Sequence, residues 1–201
     1  MALGALSLSV TVLIDLAELL AGLSEGTHGS VPVDWDRIFT WLADGAAAAL
    51  SLPVHEFRRS GTRVYVPTAN EAASPALEAL AGLTAAPGTT VVRVKGRPGL
   101  SECLACDLAR TPGCHHCRNL TAATGMLRSP VSDTMAADMF RLVREDALDV
   151  AALVSGDRAL VPVIKFLEGR GTRVAVGGFS PGVRELAGAA SGLVDLAALW
   201  S

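Results

Sequence analysis

The chain has 201 residues, half of them hydrophobic and 18% charged, with a net charge of −3. That length fits one sizeable domain better than two very small ones. The apolar content excludes disorder for most of the chain, and the acidic balance excludes a chain that is cationic throughout to bind nucleic acid, while leaving room for a local basic patch.

Aromatic residues make up only 4%, with Ala, Val, Leu and Gly in their place, so the core is aliphatic. That suits a parallel sheet under Ala-rich helices better than an aromatic-rich sandwich. Mean hydropathy is +0.41, which raises the question of a membrane span. The apolar run from Met1 to Ile14 is cut by Asp15 and Glu18, short of the roughly 20 residues a spanning helix needs. The first basic residue is Arg37, so the positive start of an export signal is missing. The expectation is a cytoplasmic protein with no membrane partner.

In chain order, Leu6 to Ile14 reads as a buried strand and Leu16 to Leu23 as a short helix. Asp34 caps a helix from Trp35 to about Leu50, with Ile38, Trp41 and Leu42 on one face. Arg63 to Val66 is a second strand, entered through Gly61. Asn70 caps an Ala-rich helix that runs to about Leu83, and Thr89 to Lys95 is a third strand. Asp133 starts a helix to about Asp146, Val150 to Val154 is a fourth strand, and Ala159 to Glu168 is a helix stopped by Gly169 and Gly171. A fifth strand spans Thr172 to Val176, a helix Val183 to Ala190, and a last short strand Leu193 to Leu196. Strands alternating with helices at this spacing give a three-layer α/β/α domain with a mostly parallel sheet. No linker divides the chain, so residues 1–201 read as one domain, with residues 97–130 as an inserted loop.

That loop holds all four cysteines, as Cys103-x2-Cys106-x7-Cys114-x2-Cys117. Two C-x2-C pairs are the spacing of paired zinc knuckles, each wrapping one side of a tetrahedral ion. One structural Zn²⁺ is the expectation, with an iron–sulfur site, reactive thiols or no metal as alternatives. Four thiolates close the shell, so His115 and His116 are not needed as ligands and this zinc has no open catalytic position.

Asp15 follows the first strand, Asp157 follows the fourth, and Asp133 opens the helix before the fourth. If the first and fourth strands are neighbours, the three carboxylates converge at the carboxyl edge of the sheet, where such folds bind ligands. Clustered carboxylates repel unless a cation lies between them, and hard oxygen donors suit Mg²⁺ or Mn²⁺. Each acid also has a plainer role, Asp133 and Asp157 as helix caps. Asp15 is hardest to explain that way, because a buried strand rarely ends in an acid without a partner.

These residues resemble the NYN domain, a branch of the PIN-like nucleases. Ile14-Asp15 sits where that family has a strand ending in Ile-Asp-Gly-x-Asn. Ser132-Asp133-Thr134-Met135 is similar to its Val-Asp-Thr-Met, and Leu153-Val154-Ser155-Gly156-Asp157 matches its Leu-Val-Ser-Gly-Asp. Some bacterial members also carry a cysteine-pair insertion before the Asp-Thr segment. The resemblance implies a PIN-like fold and a ribonuclease (a hydrolase of RNA phosphodiester bonds) assisted by Mg²⁺ or Mn²⁺, with Asp15, Asp133 and Asp157 as catalytic acids. It departs where Ala159 replaces a family acid, Leu16 a Gly, and Glu18 an Asn. Asp138 matches a family acid, but its spacing from Asp133 is one residue short, which leaves open whether Asp133 or Ser132 takes the ligand position. Glu18, three residues after Asp15, is a candidate replacement for the missing charge.

Arg93, Lys95 and Arg97 alternate along the third strand and its exit, and Arg110 and Arg118 flank the cysteines. Together they are candidates for a basic rim that binds RNA, or for an ordinary solvated edge. No aromatic run offers a base-stacking platform. Three functions stay in play. The first is a metal-dependent endoribonuclease. The second is a degenerate RNA- or protein-binding module, favoured by Ala159. The third is a nucleotide-binding enzyme, disfavoured because no Gly-x-Gly-x-x-Gly or Walker loop is present. The apolar composition is also compatible with a homodimer.

Overall fold

The computed structural model describes residues 8–26, 34–52, 57–67, 82–95, 102–103, 108–109, 129–179 and 182–196. Its elements are β1 (Leu8–Asp15), α1 (Leu16–Gly26), α2 (Trp35–Ala49), β2 (Phe57–Pro67), β3 (Thr89–Val94), β4 (Glu102–Cys103), β5 (Leu108–Ala109), α3 (Pro130–Arg144), β6 (Val150–Val154), α4 (Val161–Gly169), β7 (Arg173–Gly177), α5 (Val183–Ala187) and β8 (Gly192–Leu193). A 3₁₀ turn, Arg158–Leu160, precedes α4.

Six strands form one sheet in the order β3-β2-β1-β6-β7-β8, and every pairing in it is parallel. The chain steps outward from β1 to β3, returns to the far side of β1 as β6, and steps outward again. Period-2 alternation divides the β1 side chains between two cores. Val10, Val12 and Ile14 pack with Leu16, Leu19, Phe39, Leu42 and Ala46 of α1 and α2. Leu13 packs on the opposite face with Met135, Met139, Ile164, Leu167 and Leu186 of α3, α4 and α5. β6 is buried at all five positions, as a central parallel strand covered on both faces must be. The result is the three-layer α/β/α architecture expected from the alternation of elements. β4 and β5 form a separate antiparallel pair.

Several boundaries differ from the sequence reading, each for a local reason. β2 starts at Phe57, because a bulge absorbs the polar stretch before Gly61. Val10 pairs with Arg59 and Thr11 with Gly61, so Ser60 is the extra residue. Its Oγ donates to the Val10 carbonyl at 3.1 Å. α3 starts three residues before Asp133, with Ser129 as its N-cap and Pro130 in its first turn, so Asp133 is not the cap. Asp157 caps the 3₁₀ turn, and α4 begins only at Val161, with Pro162 in its first turn. α5 stops at Ala187, and β8 is the pair Gly192–Leu193. On α2 the buried stripe is Trp35, Phe39, Leu42, Ala43, Ala46 and Ala47, with Ile38 and Trp41 at its margin. The Asn70 helix lies mostly outside the described residues. No helix among the described residues is long and apolar enough to cross a membrane.

Candidate active site at the carboxyl edge of the sheet

β1 and β6 are neighbours, and the chain leaves them toward opposite edges of the sheet. The crevice at a topological switch point therefore lies between their carboxyl ends. Ile14 pairs with Val154, so Asp15, the last residue of β1, stands beside the start of the Ser155-Gly156-Asp157 turn. Asp15 lies two residues after Leu13 on the strand and so faces the same α3 side of the sheet.

Asp15 Oδ1 accepts the Ala17 N–H at 3.0 Å. Its carboxyl is held above the ordinary 3.8, first by burial; the backbone N–H groups of Ala17 and Glu18 oppose that, and the charges of Glu18 and Asp157 push it further up. Both neighbouring carboxylates thus act on Asp15 as repulsive charges, second to its desolvation.

Asp157 is fixed at both oxygens. Oδ1 accepts the Ala159 N–H at 2.9 Å, and Oδ2 accepts the Ser132 hydroxyl at 2.5 Å. Its own N–H donates to Ser155 Oγ at 3.2 Å. Ser132 is only 2% exposed. Glu18 is turned toward the segment after β7, where Oε1 accepts the Phe179 N–H at 2.7 Å. A Cβ on Gly178 would stand 3.0 Å from Glu18 Oε1 and 3.1 Å from the Ser155 carbonyl, and a Cβ on Gly182 would run into the Gly156 carbonyl. The glycines after β7 thus allow two backbone segments to close over the acids. The Gly-Gly pair at positions 177 and 178 was the available sequence signal for this approach.

The other candidates are distributed as follows. Asp133 is exposed; it lies one helical step, about 100°, from Ser132, the α3 side chain that reaches Asp157. Asp138 is held elsewhere, by the Tyr65 hydroxyl at 2.9 Å, Arg63 at 3.2 Å and Arg141 at 3.3 Å. Burial and the neighbouring Asp138 charge push the Tyr65 phenol far above its usual range. Arg93 is exposed and alternates with Val92 and Val94, which face the α3 side, so it points to the opposite face from Asp15. Lys95 is also exposed. Cys103 lies on β4, paired with Leu108. Cys106, Cys114, Cys117, Arg97, Arg110 and Arg118 lie outside the described residues.

Among the described residues, no three acidic, His or Cys side chains form a ready-made metal cluster. The donors at this edge are the Asp15 and Asp157 carboxylates and the Ser132 hydroxyl that binds Asp157. That set fits Mg²⁺, which is commonly held by one or two carboxylates and keeps several waters.

The NYN domain family model matches residues 123–197. That stretch runs from before α3 to past β8 and contains Ser132, Asp133 and Asp157, while Asp15 precedes it. No curated protein matches the chain. The chain is similar in structure to a crystallised protein of unknown function from Vibrio parahaemolyticus, with 15% sequence identity and a TM-score of 0.54, covering 95% of this chain and 94% of that one. At that identity the likeness speaks for the shared fold alone.

Proposed function

We propose that the chain is an NYN-type nuclease, a divalent-metal-dependent ribonuclease whose site is built on Asp15 and Asp157. The observation that carries this reading is the pairing of β1 with β6 at the switch point, which brings the segments bearing Asp15 and Asp157 side by side, with Asp15 desolvated there. Asp15 and Asp157 would hold Mg²⁺ or Mn²⁺. When bound, such an ion supplies charge stabilisation to a phosphoryl oxygen and a more acidic water. The chain's own groups do the positioning. The Ala17 and Glu18 amides orient Asp15, the Ala159 amide and Ser132 orient Asp157, and the segment around Phe179 closes the side nearest Glu18. Asp133, exposed in the first turn of α3 one residue from the Ser132–Asp157 contact, is the third acid of the proposal.

A structural Zn²⁺ on Cys103, Cys106, Cys114 and Cys117 belongs to the same proposal. It is supported by the C-x2-C spacing of the two cysteine pairs. Cys106→Ser should release zinc, read by metal analysis of the purified protein. RNA is the proposed partner, approached from the carboxyl edge.

A second reading, a binding module that does not cut, is favoured by Ala159. That residue gives Asp157 a backbone N–H but brings no carboxylate of its own. One experiment separates the two. A labelled, mixed-sequence single-stranded RNA is incubated with Mn²⁺ or Mg²⁺, alongside EDTA and Asp15→Asn controls. Cleavage that needs both the metal and Asp15 is expected. Intact RNA with folded, zinc-loaded protein would overturn the nuclease reading in favour of the module.

A further inference from the structure

Ser132 is buried in the first turn of α3, and its hydroxyl points at the carboxyl edge rather than into the apolar core. A buried hydroxyl needs a partner, and Asp157 Oδ2 supplies it at 2.5 Å. The opposite oxygen, Oδ1, is already bound by the Ala159 N–H. With a donor at each oxygen the carboxylate is locked in rotation, while each oxygen keeps lone-pair capacity for one more contact.

We infer that Ser132 is a positioning residue: its hydroxyl sets the rotation of the Asp157 carboxylate and so presents a fixed oxygen to a divalent cation shared with Asp15. This rests on the metal-dependent reading above and deepens it. It assigns a role to one of two adjacent positions on α3. Val131, Met135 and Met139 mark the buried face of the helix, and Ser132 lies at its edge toward Asp157, whereas Asp133 has turned outward. The amino end of α3 therefore delivers a neutral donor to Asp157. Groups that orient a ligating carboxylate typically change metal affinity by about 10–100-fold when removed.

The test is calorimetric titration of Mn²⁺ into the full chain, with no RNA present. Ser132→Ala is expected to weaken Mn²⁺ binding by about 10-fold or more, with metal-free urea unfolding still cooperative. Ser132→Thr, which keeps the hydroxyl, should return affinity toward the wild-type value. If Ser132→Ala does not fold, Ser132→Thr and Ser132→Val settle the matter, because they share a shape and differ in the hydroxyl. Val binding Mn²⁺ as tightly as Thr, or Ala as tightly as wild type, overturns the assignment. Binding that is lost in Asp15→Asn but unchanged in Ser132→Ala overturns Ser132 alone. A wild-type protein that takes up no Mn²⁺ overturns the metal-dependent reading and Ser132's role together.

Discussion

Gly182 has φ −64 and ψ −21, a backbone that any residue adopts, so Gly182→Ala brings no conformational strain. The obstacle is space. A Cβ there runs into the carbonyl of Gly156, the residue between Ser155 and Asp157. Overpacking typically costs about 1–3 kcal/mol, and the obstructing atom is backbone with no alternative rotamer, so we take the upper end, about 3 kcal/mol. For a domain of this size each kcal/mol lowers Tm by about 2–4 °C, which gives a drop of roughly 6–12 °C. The displaced turn also carries Asp157 away from Ser132, so Mn²⁺ affinity falls even where the variant is fully folded. Gly169→Ala is the control, since nothing lies within 4 Å of a Cβ there; it should leave stability unchanged or raise it by about 0.4–1 kcal/mol. Thermal melts followed by circular dichroism, run in EDTA on the three proteins, make the comparison. A Gly182→Ala protein that melts with wild type would refute the close approach of the two segments.

Substitutions at three other positions test the surroundings. Asp15 has its folded-state carboxyl raised above 3.8, so its contribution to stability is fully present at low pH and is lost as pH rises through the folded value. Asp15→Asn, in EDTA, should therefore gain stability relative to wild type as pH rises from 4 to 7 in urea titrations; a constant difference would mean that Asp15 is not desolvated. Glu168 accepts the Val174 and Ser191 N–H groups, both at 2.9 Å, and the Ser191 hydroxyl at 2.6 Å. Glu168→Ala leaves the Val174 amide unpaired and should cost about 2 kcal/mol, with Glu168→Gln much milder, both read from urea midpoints. Glu18→Gln retains an acceptor for the Phe179 N–H but removes the charge, so it should preserve stability. If it also preserves Mn²⁺ affinity, Glu18 acts as a clasp and not as a ligand.

The elements most legible in sequence were those with one dominant local signal. β6 is a bounded apolar run, buried throughout, and Asp34 caps α2 through the Arg37 N–H at 3.1 Å, as its position before an amphipathic run implied. The adjacency of β1 and β6 was posed in sequence only as a condition, because strand order is set by long-range packing. The first half of β2 was hidden by polar residues that pair only through a bulge. The start of α3 was signalled by Ser129-Pro130 but outweighed by the more conspicuous acid at 133. The burial of Ser132 was also written in the helix period: Met135 and Met139 are buried, and Ser132 lies three residues before the first of them, on the same face. What no local pattern encodes is the contact of Glu18 with Phe179, which are 161 positions apart.

A site with two inward carboxylates and a hydroxyl differs in kind from one with three or four carboxylates. On the proposed function, Asp15 and Asp157 together would balance the charge of one divalent cation and would leave coordination positions for water and substrate phosphate. Ala159 adds no ligand, and no further acid joins them among the described residues in a ready-made cluster. Cation and RNA should then bind cooperatively, because each supplies what the other lacks, and the coupling must be the same in both directions. Mn²⁺ affinity measured with a non-hydrolysable RNA analogue should exceed that of the free protein, and RNA affinity should rise by the same factor with Mn²⁺. Asp15→Asn should abolish the coupling while leaving metal-independent RNA contacts in place. Independent binding of Mn²⁺ and RNA would mean that the phosphate does not share a cation with Asp15 and Asp157, and RNA recognition would then have to lie elsewhere on the chain.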